Sequence, residues 1–164
     1  MITTYTPSNF QNGITTLFNG VTSAPGLQIA GSGSPTVKHA NTITSLVSDT
    51  LGVPLTTGNM PALNGGNLAN NYSRMYTFLI DVNTSTGATT LSVVRGNDFT
   101  HDRPAHPSTD INYGDGTKGI VGFVYIKNES GSDFVPGTTH LDAAGLTVSY
   151  GDGYGYPIWV PLNV

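Results

Sequence analysis

An alternating pattern of apolar side chains constrains the fold of this chain more than any other feature. Between Arg74 and Val82, alternate positions place a set of apolar side chains on one face: Tyr76, Phe78, Ile80 and Val82. A period of two residues is that of a β-strand, in which successive side chains point to opposite faces. The turn-forming residues 83–87 and the segment Thr89–Arg95 follow, so the sequence predicts a β-hairpin.

The composition disfavours helix along the whole chain. Its 164 residues include 21 Gly and 10 Pro, and much of the remainder is Thr, Ser and Asn. Thr and Val lose rotamer freedom in a helix, and Ser and Asn side chains compete for the helical backbone. Hydrophobic residues still make up 37% of the chain, which excludes a highly charged disordered protein. A coiled coil and a helical bundle are excluded as well.

Further segments predict strands of the same domain. Lys118–Lys127 is apolar on both faces, which is typical of a central strand; its faces are Ile120, Val124 and Ile126, and Val121, Phe123 and Tyr125. Leu146–Tyr150 and Ile158–Leu162 also predict strands, and the prolines around the last one place it at a sheet edge. Ile43–Val47 fits either a strand or a short helix. We expect an all-β fold, an antiparallel β-sandwich or jelly-roll-like domain.

The N-terminal part of the chain differs from the rest in charge. No Asp, Glu, Lys, Arg or His residue occurs before Lys38. We expect residues 1–37 to form an extended arm that lies on a partner, and residues 38–164 to form a single sandwich domain, because uncharged side chains are buried at low desolvation cost. The alternative is that this stretch packs on its own domain. The predicted partner-binding residues are the apolar ones of the arm: Phe10, Ile14, Leu17, Phe18, Val21, Leu27 and Ile29.

One loop holds residue types that could bind a divalent metal. His101, Asp102 and His106 offer nitrogen and oxygen ligands, with Asp98 nearby. Prolines between and after the histidines exclude the helical spacing of a zinc site. We favour the alternative of a rigid polar surface loop, and we expect no metal and no other cofactor.

The sequence holds no set of residues that matches a known catalytic template. It has no cysteine and no G-x-S-x-G motif. The segment Asp110–Gly116 looks like a calcium loop but lacks the required ligands at the later positions. We expect no catalytic residues and no enzymatic activity.

Aromatic residues concentrate near the C-terminus. Tyr and Trp among glycines can stack on sugars or fill pockets of a protein partner. We favour core packing and subunit contact over a sugar platform for these residues: Tyr150, Tyr154, Tyr156 and Trp159.

The net charge of the chain and its lack of long apolar runs limit the kinds of partner that it can bind. The net charge is −4 and the chain has only six Lys and Arg residues, which argues against nucleic-acid binding. No apolar run is long enough for a membrane span, and the first residues lack the pattern of a secretory signal. We expect synthesis in a cytosol and no membrane partner.

The stretch from Gly119 to Thr139 resembles small virion structural proteins of tailed bacteriophages, most of all the capsid decoration (cement) type. It combines a strand, a Gly/Ser turn and the run Phe-Val-Pro-Gly-Thr-Thr, before a second strand near Leu146–Tyr150. The resemblance implies a β-rich protein without catalytic residues that clamps neighbouring capsid subunits from outside as a symmetric oligomer. The long uncharged N-terminal segment departs from this type.

The sequence therefore predicts a non-enzymatic virion protein that binds and stabilises the assembled capsid. Its expected partners are the major capsid protein and copies of itself, with a homotrimer favoured, and its expected location is the outer capsid surface after synthesis in the bacterial cytoplasm. Two alternatives stay open: a tail-fibre or spike module that binds a receptor or carbohydrate, and a metal-dependent enzyme centred on His101 and His106.

Overall fold

A computed structural model describes residues 15–100, 117–154 and 158–162, and the side chains of 19–100 and 117–154. These residues form eleven strands and no helix. In chain order the strands are β1 (Thr15–Val21), β2 (Leu27–Ile29), β3 (Val37–His39), β4 (Ser45–Val47), β5 (Thr50–Leu51), β6 (Gly58–Asn59), β7 (Tyr72–Val82), β8 (Thr89–Thr100), β9 (Lys118–Asn128), β10 (Leu146–Asp152) and β11 (Ile158–Leu162).

The strands form three antiparallel sheets. The largest has the order β10-β9-β7-β8, the second has the order β11-β1-β4-β5, and a three-stranded sheet has the order β2-β3-β6. The predicted all-β antiparallel fold is confirmed. Strand β4 settles the alternatives for Ile43–Val47 in favour of a strand, and β11 lies at a sheet edge as its prolines predict.

The two four-stranded sheets pack face to face as a β-sandwich. Strands β1 and β4 lie against β9 and β7. The backbones approach each other closely at Gly20 and Gly119, where a Cβ atom added to Gly119 would lie 2.9 Å from the Gly20 backbone. Only glycine allows two sheets to approach so closely at this point.

The alternating apolar residues of 74–82 lie in the central strand β7, as the sequence predicts. Tyr76, Phe78, Ile80 and Val82 are all fully buried. Strand β8 pairs with β7 along its length, and the turn between them is closed by the N–H of Gly87, which donates to the carbonyl of Asn83 at 2.7 Å. The predicted hairpin is therefore confirmed.

Strand β9 is central, as predicted, but its two faces differ from the prediction. The pairing with β7 shifts between Phe78 and Leu79, so that Val121 is an extra residue in β9. Such a β-bulge moves every following side chain to the opposite face. Val121, Val124 and Ile126 consequently share the buried face, while Phe123 and Tyr125 lie on the half-buried one.

The core lies between the sheets and is extended by the connecting loops. It gathers apolar residues from all three sheets and six from the connecting loops: Ile43, Met60, Leu63, Leu68, Phe134 and Leu141. The largest fully buried apolar side chains are Tyr76, Phe78, Phe134, Ile43, Leu68, Ile80 and Ile126. An antiparallel bridge between Leu68 and Phe134 joins two of these loops.

The stretch predicted as an arm contributes to this core. Val21 is 2% exposed, Leu27 is 7% exposed, and Ile29 packs against the same cluster. Val21 and Leu27 therefore pack on the chain's own domain, which is the alternative that the sequence left open, and Ile29 is half-buried against the same cluster. Phe10 and Ile14 lie outside the described residues. Leu17 and Phe18 are described only as backbone of β1, which pairs with β11.

Candidate interaction surfaces

A polar cluster surrounds Arg74, which strand β7 carries on its buried side. The guanidinium is fully buried. Its Nε donates to Asp98 Oδ1 at 2.6 Å and one Nη2 hydrogen to Asp98 Oδ2 at 3.0 Å. Nη1 donates to the carbonyl of Gly66 and to the Tyr76 hydroxyl, and Nη2 also donates to the carbonyl of Asn67. All five N–H groups of Arg74 are thus used.

The electrostatics of the cluster favour its charged form. Burial by itself would lower the pKa of Arg74, but the hydrogen bonds to Asp98 and Tyr76 outweigh it and raise the pKa. Burial raises the pKa of the Tyr76 hydroxyl, which therefore stays neutral. Because the guanidinium is closed off from solvent, the cluster holds the loop 65–68 against the hairpin rather than binding a ligand.

The candidate metal ligands of the sequence lie partly outside and partly within the described residues. His101, Asp102 and His106 lie outside the described residues. Asp98 is described, and both of its carboxylate oxygens accept hydrogen bonds from Arg74, with Arg95 at 3.6 Å. Within residues 15–100, 117–154 and 158–162 no three metal-ligating side chains come together.

Two carboxylates tie loops to the sheets. Asp152 Oδ1, at the end of β10, accepts from the N–H groups of Gly26 and Leu27 at 3.0 and 3.1 Å. Asp142 accepts from the Gly33 N–H at 2.8 Å and from the Ser32 hydroxyl. The Gly33 N–H, followed by the other local hydrogen bonds, lowers the pKa of Asp142 below its usual value. The loop that contains Ser32 and Gly33 is therefore held by the chain's own carboxylate.

A shallow groove follows the second half of β10. Its volume is about 480 Å³, and its lining is mainly apolar: Met75, Phe123, Tyr125, Ser149, Tyr150, Gly151 and Asp152. The groove exists because small residues of β10 pair with aromatic residues of β9, Ser149 with Tyr125 and Gly151 with Phe123. Tyr150, predicted as an interface aromatic, lines it, packs partly against the core and has its pKa raised by burial.

A second surface was not anticipated from the sequence. Leu51 is 67% exposed and Val53 is 55% exposed. Their backbone is held on both sides, since Gly52 N–H donates to the Ser45 carbonyl and Val53 N–H donates to the Gly87 carbonyl. We call Leu51 and Val53 the apolar corner. Its sequence signal is the run Leu-Gly-Val-Pro, which is apolar but too interrupted to enter a sheet interior.

The other predicted interface aromatics are only partly described. Tyr154 is 58% exposed just after β10. Tyr156 lies outside the described residues, and Trp159 is described only as backbone of β11, opposite Phe18.

Comparison with known proteins provides no family: no protein-family model, no curated protein and no solved structure matches the chain. In the part of the chain that the structure describes, no helix has the length and apolar character needed to cross a membrane.

Proposed function

We propose that the chain is a non-enzymatic structural protein of a tailed-phage particle that binds the assembled capsid as a decoration protein. In this proposal its partners are the major capsid protein and copies of itself. Its site of action is the outer capsid surface, after synthesis in the host cytoplasm. It requires no cofactor, nucleic acid or membrane.

The apolar corner is the observation that carries the proposal. Leu51 and Val53 expose apolar side chains on a backbone that hydrogen bonds hold in place. Exposed apolar residues on a fixed backbone contribute binding energy without a large loss of conformational entropy. Many such contacts repeated over a symmetric shell give high avidity although each one is weak.

The polar clusters of the described residues also support a static binding role. Polar side chains that could form a reactive site instead fix loops: Arg74 holds Gly66 and Asn67, and Asp152 holds Gly26 and Leu27. A subunit that is rigid before it binds stabilises an assembled shell by mass action, because it binds the shell and not its separate subunits.

The segment that carries the resemblance to decoration proteins is rigid as well. Buried Asn128 donates to the carbonyls of Leu68 and Ser132 and accepts from the Ser130 N–H. The Gly/Ser turn after β9 therefore has a fixed shape, which fits a subunit that does not rearrange when it binds.

Binding to particles tests the proposal. The double variant Leu51→Asp and Val53→Asp should bind particles that lack the protein about tenfold more weakly than the original chain, because two apolar contacts are lost. Val135→Asp, which changes an exposed apolar residue elsewhere, is the matched control and should bind normally. Unchanged binding of the double variant, or no binding of the original chain, would contradict the proposal.

The groove favours a second candidate function, that of a tail-fibre or spike module which binds a carbohydrate. Tyr125 offers a ring for stacking, and the exposed Ser149 offers a hydroxyl group beside it. In this case Tyr125→Ala should abolish the binding of host surface polysaccharide measured by calorimetry, and the apolar-corner variant should leave it unchanged.

A further inference from the structure

The edges of the described sheets differ in how well they are protected against pairing with another chain. Strand β11 contains Pro161, and β8 carries Arg95 and Asp98 and an irregular register. Strands β2, β5 and β6 are two or three residues long. Prolines, charges, irregularities and short length are the usual means of blocking a sheet edge. Strand β10 has seven residues, regular pairing, no proline and no charge before its last residue, Asp152.

The odd-numbered residues of β10 direct their backbone N–H and C=O groups toward the neighbouring strand β9. At the two ends of the ladder, Glu129 N–H donates to the Gly145 carbonyl and Gly153 N–H donates to the Val121 carbonyl. In an antiparallel ladder alternate residues form these bonds, so Val148 and Tyr150 direct their N–H and C=O groups away from the sheet. In the part of the chain that the structure describes, these groups have no partner. We call them the open edge of β10.

We propose that β10 pairs with β10 of a second copy of this chain, antiparallel and centred on Ser149, so that the two large sheets join across a two-fold axis. Val148 of one chain and Tyr150 of the partner subunit then exchange both N–H···O=C bonds. Centring on Ser149, the middle residue of β10, aligns all seven residues and satisfies the open edge of both chains, while the Leu146 N–H keeps its bond to the Ala143 carbonyl within the chain.

The sequence of β10 is self-complementary in this register. Val148 lies beside Tyr150 of the partner subunit, a β-branched and aromatic pair of the type that stabilises antiparallel strands. Asp152, the only charged residue of the strand, lies opposite Leu146 of the partner subunit, so like charges do not meet. The low charge of the chain, 10% of residues, keeps repulsion across the axis small. A second copy therefore fits this edge.

The inference goes beyond the proposed function and is independent of it, because edge pairing requires no capsid. It also differs from the homotrimer that the sequence favours, since a two-fold axis produces a dimer. The mass of the purified chain in solution distinguishes these states.

Cysteine cross-linking tests the pairing directly, because the chain contains no cysteine. In the proposed register Ser149 faces Ser149 of the partner subunit with Cα atoms about 4.5 Å apart, within the range of a disulfide. Ser149→Cys should form a covalent dimer on mild oxidation. Thr147→Cys is the matched control: it is equally exposed on the same strand, but its copy lies four residues, about 13 Å, further along the axis. Equal cross-linking of both variants, or of neither, would overturn the proposal.

A pair of charge variants provides a second test of the pairing that does not depend on disulfide formation. Ser149→Lys places two positive charges opposite each other across the axis and should reduce the mass in light scattering from twice 17.1 kDa to the mass of one chain. An equimolar mixture with Ser149→Glu should restore the dimer. A monomeric original chain, a trimer unaffected by Ser149→Lys, or failure of the mixture to associate would overturn it.

Discussion

The central strand β7 and the edge strand β10 belong to one sheet but differ in how completely their polar groups are satisfied. Arg74 of β7 uses all five of its N–H groups inside the chain, although it is fully buried. Val148 and Tyr150 of β10 leave backbone groups without a partner in the described part of the chain. An unpaired buried polar group is costly, whereas an exposed edge group is solvated until a partner arrives. Strand β7 therefore sets the stability of the subunit, and β10 is available for assembly.

Among the variants that test this comparison, we expect a substitution of Arg74 to have the largest effect on the free energy of unfolding. Arg74→Met removes five hydrogen bonds and leaves Asp98 and two loop carbonyls without their donor, which should lower the free energy of unfolding by about 3 to 5 kcal/mol. Urea unfolding followed by fluorescence measures it. Arg95→Met is the control, because Arg95 is an exposed partner of the same carboxylate at 3.6 Å and should cost less than about 1 kcal/mol. Equal losses in the two variants would contradict the ranking.

Asn128, at the end of β9, is expected to have the next largest effect. Its side chain is fully buried and links the carbonyls of Leu68 and Ser132 to the Ser130 N–H. Asn128→Ala should lower the free energy of unfolding by about 2 to 3 kcal/mol, since the groups left behind lose their partners. Ser132→Ala, which changes an exposed side chain and keeps the carbonyl, should have little effect. A loss below about 1 kcal/mol for Asn128→Ala would show that the turn does not depend on this side chain.

Thr77, also in β7, tests how much an unpaired polar group inside the subunit costs in stability. It is fully buried, but its Oγ1 atom has no hydrogen-bond partner among the residues that the structure describes. Thr77→Val removes the unpaired hydroxyl and keeps the shape, so stability should stay unchanged or rise by up to about 1 kcal/mol. Thermal unfolding of the two chains measures the difference. A clear loss of stability would mean that the hydroxyl is satisfied in solution.

The smallest expected effect is a pH dependence at Asp142. The Gly33 N–H and the Ser32 hydroxyl hold its folded-state pKa below the usual value. The unfolded chain then binds more protons than the folded chain in the acid range, so this contribution to stability is present above about pH 4 and is lost as the pH falls through the folded-state pKa. Asp142→Asn should reduce the drop in melting temperature between pH 6 and pH 3. An identical drop in both chains would contradict the assignment.

Much of the fold is predictable from the sequence because side-chain alternation reports strands directly. Strand β7, the following hairpin and the edge position of β11 all follow from local patterns of apolar, turn and proline residues. The faces of β9 do not, because the bulge at Val121 depends on the pairing with β7 and leaves no local mark. The position of Val21 and Leu27 in the core is likewise set by tertiary packing.

The candidate surfaces are less predictable than the fold. An Arg among the apolar residues of a strand indicates a buried ion pair, but its partner Asp98 is 24 residues away and becomes identifiable only through the β7–β8 register. The open edge of β10 depends on which strands are neighbours, and the apolar corner depends on the two backbone contacts that keep Leu51 and Val53 at the surface.

The copy number of the chain in purified phage particles tests the proposed function most directly. A decoration protein binds repeated sites over the whole shell, so gel densitometry should give a copy number of the same order as that of the major capsid protein. A few copies per particle would indicate a fibre or spike protein instead, and absence from the particle would contradict the account altogether.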